Sequence, residues 1–307
     1  MAKLTISSVL GQATVQDLGR TGFAHFGITQ SGALDAWSMK CANALVSNPP
    51  GSAVLELSPG GIRFSVNCRI SAAVTGARCS VHINDKTVPQ YQTLTLNPQD
   101  VIEIKPSRVG ARVYLAFAGG IDSTPLFNSQ STCLREGLGV SLIKGTRLTF
   151  CSPWVVVNKR LRTDQIPSFS PRLRLGLVMG YQQYLLNWQQ RHRFFSSEYK
   201  VSPLNDRMGY RLHTDTPTVA PLDGIRSEGV ALGALQIASD GQPIIMLNDH
   251  QTLGGHMKLG AVCSVDLERL AQAIVGTCVQ FYPLSLEQAQ RRTRYNAKKT
   301  PIMVDDQ

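Results

Sequence analysis

Gly145-Thr146-Arg147-Leu148-Thr149-Phe150 returns, altered, as Gly276-Thr277-Cys278-Val279-Gln280-Phe281. In each copy a glycine, free to take positive φ, makes a tight turn. Alternating polar and apolar residues then read as a half-buried closing strand. Two such turn-plus-strand endings predict two similar β domains in tandem, over 1–157 and 172–307. The polar, proline-containing stretch 158–171 reads as the linker between them. Outward from the echo the pattern stays β. Residues 64–67 and 101–105 alternate apolar and polar, and 112–118 form a more continuous apolar strand ending at Gly119-Gly120. Val81-His82-Ile83 and Lys86-Thr87-Val88, joined by Asn84-Asp85, read as a hairpin.

Helices are few. Residues 34–46 put Leu34, Trp37, Cys41, Ala42 and Leu45 on one face, with Ser31 as N-cap and Asn48-Pro49-Pro50 as stop. A second helix, from Ser264 as cap to Gly276, carries Leu267, Leu270, Ala271 and Ile274. A C-terminal helix starts at Ser285, with Gln288 completing a capping box. A fourth covers about 182–193. No regular alternation of strands with long helices occurs, which argues against a doubly wound sheet.

The chain has 307 residues, 26 Gly and 16 Pro, which fits one or two turn-rich domains. No apolar run approaches the roughly 20 residues that span a bilayer, and the N-terminus lacks an apolar signal core, so a cytoplasmic protein without membrane partners is expected. Seven cysteines, an odd number without C-x-x-C spacing, read as thiols of a reducing compartment. The six histidines are scattered and no H-E-x-x-H occurs, so no metal site is expected. The net charge of +10 owes part to Arg291-Arg292-Thr293-Arg294 and Lys298-Lys299. No basic-aromatic pattern accompanies it, so nucleic acid is not an expected partner; an acidic protein would use the same field.

The chain has no P-loop, no G-x-G-x-x-G opening a helix and no G-x-S-x-G elbow. Ser38-Met39-Lys40 is similar to a biotin-attachment sequence but lies within the first predicted helix, so no covalent biotin is expected. Polar residues cluster at 14–20, 30–35, 205–212 and 248–256. Taken singly, each reads as a loop or strand end with a local ion pair or cap. Taken together they predict a polar cleft lined by loops of β domains. In it, an arginine fork suits a carboxylate or phosphate, and the helix start after Ser31 suits an anion or a carbonyl oxygen.

The same clusters carry a resemblance. T-V-Q-D-L-G-R (14–20), S-G-A-L-D (31–35), A-N-A-L-V-S-N (42–48), A-G-G-I-D (118–122), D-R-M-G-Y-R-L (206–212) and G-Q-P-I-I-M-L-N-D (241–249) resemble, in order, the biotin-dependent carboxyltransferase family. S-L-E-Q-A (285–289) is similar to the tail of its 5-oxoprolinase C-subunit branch. The resemblance implies a mainly β fold of two tandem cyclophilin-like β-barrel domains with a few short helices. It implies one member, inactive alone, of a multi-subunit ATP-dependent hydrolase that opens 5-oxo-L-proline to L-glutamate. A cyclophilin-fold protein of the B-subunit kind and a protein of the A-subunit kind would be its partners, with ATP bound mainly on one of them. Relatives of the same fold imply two alternatives, a carboxyltransferase of a urea amidolyase-like system and a non-catalytic partner of a kinase inhibitor. On this basis Asp35, Arg207 and Asp249 are the expected catalytic residues. Gln16, Arg20, Ser31, Gly32, Gln251 and Thr252 are the expected substrate-binding residues. The chain departs from the family pattern at Gln130, where arginine is usual, and at Leu253, His256 and Met257, where the pattern reads T-T-G-G-Y-P.

Overall fold

The computed structural model describes residues 1–219, 225–299, 302 and 304–306. By contact the chain divides into two compact units. The first comprises residues 1–20, 31–169 and 301–307; the second comprises 21–30 and 170–300.

In the first unit, β1 (Lys3–Gln16), β2 (Val54–Val66), β3 (Ile70–Arg78), β4 (Val81–Ile83), β5 (Lys86–Val88), β6 (Thr93–Leu96), β7 (Val101–Ile104), β8 (Val109–Phe117), β9 (Ile121–Asp122) and β10 (Arg147–Phe150) form one ten-stranded sheet. β1 and β2 run antiparallel from Leu4↔Val66 to Gln16↔Val54, with two irregularities on the way. The hairpin of β4 and β5 forms where expected, because Asn84 (φ 48°) and Asp85 (φ 66°) both adopt the positive φ that a two-residue turn requires. Phe64, Phe117 and Phe150 pack in the core, with ring centroids 5.7 and 5.0 Å apart.

Helix α1 (Ala36–Leu45) lays Met39, Cys41, Ala42 and Leu45 into that core. Its N-cap is Asp35, not Ser31. Asp35 Oδ1 accepts from the Ser38 amide at 3.0 Å, and Oδ2 from the Ser38 hydroxyl at 2.6 Å. Ser31 has φ 54° and its hydroxyl is spent on the Thr132 carbonyl at 3.0 Å. Past the helix, Asn48 donates to the Phe117 carbonyl at 2.8 Å and accepts from the Gly119 amide at 3.0 Å, which ties the helix exit to β8.

The stretch 158–171 carries a strand, β11 (Lys159–Leu161), and a short turn of 3-10 helix over Thr163–Gln165.

In the second unit the strands are β12 (Arg172–Met179), β13 (Tyr199–Asn205), β14 (Gly209–His213), β15 (Glu228–Gly229), β16 (Ala234–Ile237), β17 (Pro243–Met246), β18 (Leu253–Gly254), β19 (Met257–Val262) and β20 (Cys278–Leu284). Seven of them close a barrel in the order β12-β19-β16-β17-β14-β13-β20, while β15 and β18 pair apart. A parallel pairing of β12 with β20, from Arg172↔Cys278 to Val178↔Leu284, completes the circle. Gly145 and Gly276 have φ of 89° and 85°, so both echoed turns feed strands as read.

The fourth expected helix is split. A 3-10 turn over Tyr181–Leu185 ends before Asn187, whose capping box with Gln190 starts α2 (Trp188–Ser196). Phe194 of α2 then stacks on Phe281 at 5.1 Å. Helix α3 (Ser264–Ala271) is capped at Cys263 rather than Ser264, and it stops short of Ile274. Tyr210 Oη reaches the carbonyls of Ala271 and Ala273 at 3.4 and 3.2 Å, which takes acceptors a longer helix would use. Helix α4 (Leu286–Lys299) begins at the expected capping box of Ser285 and Gln288. The last described strand, β21 (Val304–Asp306), pairs with β11.

Arg292 anchors α4. Its guanidinium donates to both oxygens of the fully buried Asp266, at 3.0 and 2.9 Å. Arg292→Met is expected to lower stability by about 2 kcal/mol through these charge-assisted bonds. Urea unfolding should read the loss, with the helical signal of α4 falling first. The mainly β architecture agrees with the sequence reading.

Candidate functional site

The expected site residues fall into two groups, one in each unit. In the first unit the loop 129–132 organises them. Asp17 accepts from the Gly19 amide at 2.7 Å, the Ser129 hydroxyl at 2.6 Å, the Gln130 amide at 2.7 Å and the Ser131 hydroxyl. Its carboxylate brackets the loop. The Thr132 carbonyl then receives Gln16 Nε2 at 2.9 Å and Ser31 Oγ at 3.0 Å, so Gln16 and Ser31 meet on one oxygen. Gly32 makes this approach possible. It has φ 98°, and a side chain there would sit 2.9 Å from backbone atoms of Leu18 and Gly19.

Arg20 is 2% exposed. Its Nη2 donates to the Ser131 carbonyl and its Nε lies 3.5 Å from the Leu126 carbonyl. Among the described residues its Nη1 is buried without an acceptor, and no carboxylate stands within ion-pair distance of it. Burying a guanidinium without a counter-ion is costly. An anionic ligand would offset that cost.

Asp35 is buried and set into a second chain of bonds. Its amide donates to Tyr114 Oη at 2.8 Å, Tyr114 donates to Glu56 at 2.9 Å, and the Leu34 amide reaches the same Glu56 oxygen at 3.0 Å. Burial, and then the Glu56 charge, push the Tyr114 phenol well above its ordinary pKa, so it stays a neutral donor. Gln130 donates from Nε2 to the carbonyls of Ile121 and Ser123, at 3.2 and 2.7 Å. The carboxamide here is a loop tie.

In the second unit Arg207 and Asp249 form a bidentate pair, Nε to Oδ2 at 2.9 Å and Nη2 to Oδ1 at 3.0 Å. Both side chains are less than a tenth exposed. Asp206 shapes the approach, since its Oδ1 accepts from the amides of Met208 and Gly209 at 2.7 and 3.1 Å. The pairing of β14 with β17, Gly209↔Met246, sets Arg207 opposite Asp249, whose amide donates to the Arg207 carbonyl at 2.9 Å. Gln251 and Thr252 follow in the next loop, and the Thr252 carbonyl accepts from the Val230 amide at 2.9 Å. Leu253 is exposed, His256 is exposed and Met257 is buried.

Sequence reasoning did not single out Gln236, whose Nε2 is buried without an acceptor among the described residues. It sits in Ala234-Leu235-Gln236-Ile237, a strand that is buried throughout. A lone carboxamide in an otherwise apolar strand was the available signal. Among the described residues no group of three or more His, Cys, Asp or Glu is placed to hold a metal ion, and no helix is long and apolar enough to cross a membrane.

With this geometry in hand, comparison with known proteins defines the class. Residues 26–283 match the model of the carboxyltransferase domain, subdomain A and B, and the chain belongs to that family. It is 32% identical over 280 residues to the 5-oxoprolinase C-subunit of Escherichia coli, covering 90% of this chain and 89% of that protein. It is 27% identical to urea amidolyase of Lachancea kluyveri, covering 93% of this chain but 17% of that much longer protein. Among solved structures, TTHA0988 superposes with a TM-score of 0.84 at 28% identity, over 92% of this chain and 56% of that one.

Proposed function

We propose that this chain is the C-subunit of an ATP-dependent 5-oxoprolinase, which hydrolyses 5-oxo-L-proline to L-glutamate in the cytoplasm. The observation that carries this reading is the similarity to the E. coli C-subunit, which spans nearly all of both chains. The seven cysteines stand outside any disulfide, which fits a reducing compartment. Proteins of the B-subunit and A-subunit kinds complete the assembly, and ATP binds mainly outside this chain. Both units are cyclophilin-like in this reading, which the seven-stranded barrel supports for the second.

A lactam is a poor electrophile. Phosphoryl transfer from ATP to its oxygen releases ADP and activates the ring carbon. Water adds there, the ring C–N bond breaks as its nitrogen takes up a proton, and a second water releases phosphate from the acyl phosphate so formed. The path needs donors for oxygen and phosphate charge, and a base for water. Arg20 Nη1 has a free donor for an anionic oxygen. Arg207 is the other cation, with Asp249 as the carboxylate that orients it. Asp35 is the base. Gln16, Ser31 and Gly32 are the proposed substrate-binding residues of the first unit, and Gln251 and Thr252 those of the second.

Glutamate release from 5-oxo-L-proline and ATP tests the proposal, measured with this chain alone and with its two partner proteins. Activity is expected from the assembly only. Full activity from the isolated chain would sink the multi-subunit reading. The match to urea amidolyase favours one second reading, a carboxyltransferase acting on urea. Urea-dependent ATP consumption with a biotinylated carrier, and none with 5-oxo-L-proline, would decide for it.

A further inference from the structure

Residues 225–228 and the 3-10 turn over Tyr181–Leu185 wall a cavity of about 450 Å³ in the second unit. That volume lies within the range of small-molecule sites, roughly 300–1,000 Å³. None of the site residues named above lines it, but it borders on them. Its wall runs into β15, where Gly229 pairs with Leu253, the residue after Thr252.

One side of the cavity is preset by hydrogen bonds. Glu228 Oε1 accepts from Gln182 Nε2 at 2.6 Å and from Lys258 Nζ at 3.0 Å, and Oε2 accepts from Tyr181 Oη. Gln182 is itself buried, and its Oε1 accepts from the Lys258 amide at 2.7 Å. The Tyr181 hydroxyl, and then the Lys258 ammonium, hold the Glu228 carboxyl below its usual range, so it stays ionised. This carboxylate is already matched by three donors and one cation. It also fixes the hydroxyl of Tyr181, so that ring stands beside the cavity in a set place.

What the cavity leaves unmet are donors and ring faces. Glu228 and Lys258 offset each other, so Arg226 gives the cavity a positive charge. Among the described residues the Arg226 guanidinium makes no ion pair and no hydrogen bond, and the hydroxyls of Ser227 and Tyr184 make no hydrogen bond either. Side chains three apart in a 3-10 turn eclipse one another. Tyr181 and Tyr184 therefore project from one face of their turn, and both are largely exposed. Leu185 and Ile225 add apolar lining. Unmet donors select an acceptor-rich ligand, and a guanidinium suits a carboxylate or a phosphate. Aromatic faces suit a flat ring.

We propose that this cavity binds a small flat ring that carries an anionic group, with the anion on Arg226 and the ring against Tyr181 and Tyr184. 5-Oxo-L-proline and ATP both present that chemistry. Assigning the cavity to 5-oxo-L-proline rests on the function proposed above; the cavity itself does not.

Ligand-detected NMR titrations of the full chain test this, on the wild type and on Arg226→Gln and Tyr184→Ala. Both residues are exposed and neither makes a bond named above, so Tm should stay unchanged in both variants. 5-Oxo-L-proline should bind the wild type. Arg226→Gln should raise its Kd about ten-fold or more, the loss of a charge-assisted hydrogen bond. Tyr184→Ala should raise it about three- to ten-fold, the loss of an aromatic contact. 2-Pyrrolidinone, the ring without the carboxylate, should bind more weakly and be indifferent to Arg226→Gln. Inorganic phosphate, an anion without a ring, should be indifferent to Tyr184→Ala.

ATP separates the two sources. Binding of ATP but not of 5-oxo-L-proline, weakened in both variants, keeps the site and assigns it to the nucleotide. Wild-type binding of neither compound overturns the proposal, and so does a Kd left unchanged in either variant. Glutamate release by the wild-type assembly is a separate readout. If it occurs while Kd is unchanged in the variants, the cavity falls and the proposed function stands. If it does not occur, the proposed function falls and the titrations still decide the cavity.

Discussion

Asp249→Ala is expected to lower the stability of the second unit by about 3–5 kcal/mol, the usual cost of breaking a buried ion pair from one side. Its two oxygens hold Arg207 at 2.9 and 3.0 Å, and neither side chain reaches a tenth exposure. Removing the carboxylate leaves a buried guanidinium without its counter-ion at the β14–β17 edge. Denaturant unfolding should show the midpoint fall with its slope unchanged. The double variant Arg207→Met with Asp249→Leu should recover most of that stability, because no charge is left buried. Glutamate release should stay absent in the double variant. Arg207→Lys keeps the charge and loses the fork, so it too should impair turnover in the assembly. Recovery of activity along with stability would show that the pair serves folding alone.

Arg20→Met should separate the two properties in the opposite sense. Turnover of the assembled enzyme is expected to fall by about a hundred-fold or more, since a donor aimed at developing anionic charge contributes about 3 kcal/mol. Tm should move little. Among the described residues the guanidinium has no carboxylate partner, and the methionine removes an uncompensated buried charge while filling its volume. Steady-state kinetics beside a thermal scan of the same preparation would check both. A large drop in Tm with kcat intact would make Arg20 a structural strut for the Leu126 and Ser131 carbonyls.

Local chemistry was legible in the sequence, and closure was not. The Asn84-Asp85 turn could be read because the requirement for positive φ is met by the two residues themselves. The capping boxes at Ser285 and at Asn187 are equally local, although only the first was read. Between Ser31 and Asp35 the sequence offers two caps four residues apart, and the choice depends on where Gly32 turns the chain. The end of α3 depends on Tyr210, some sixty positions away, reaching the carbonyls of Ala271 and Ala273. The parallel pairing of β12 with β20 joins stretches a hundred residues apart. The clusters at 14–20 and 205–212 stood out for their composition. Their partners, Ser131 and Thr132 for one and Asp249 for the other, come from the fold.

The pairing of β11 with β21 has a consequence for synthesis. Leu161 is buried and lies opposite Val304, and Val304 and Ile302 pack against the first unit's core. On the ribosome, the unit that begins first therefore waits for residues that emerge after the whole of the second barrel. The second unit in turn borrows residues 21–30 from the start of the chain. The two are interleaved along the polypeptide. A cut at 169–170, which looks like a natural seam, would release two incomplete pieces, each missing a segment left on the other.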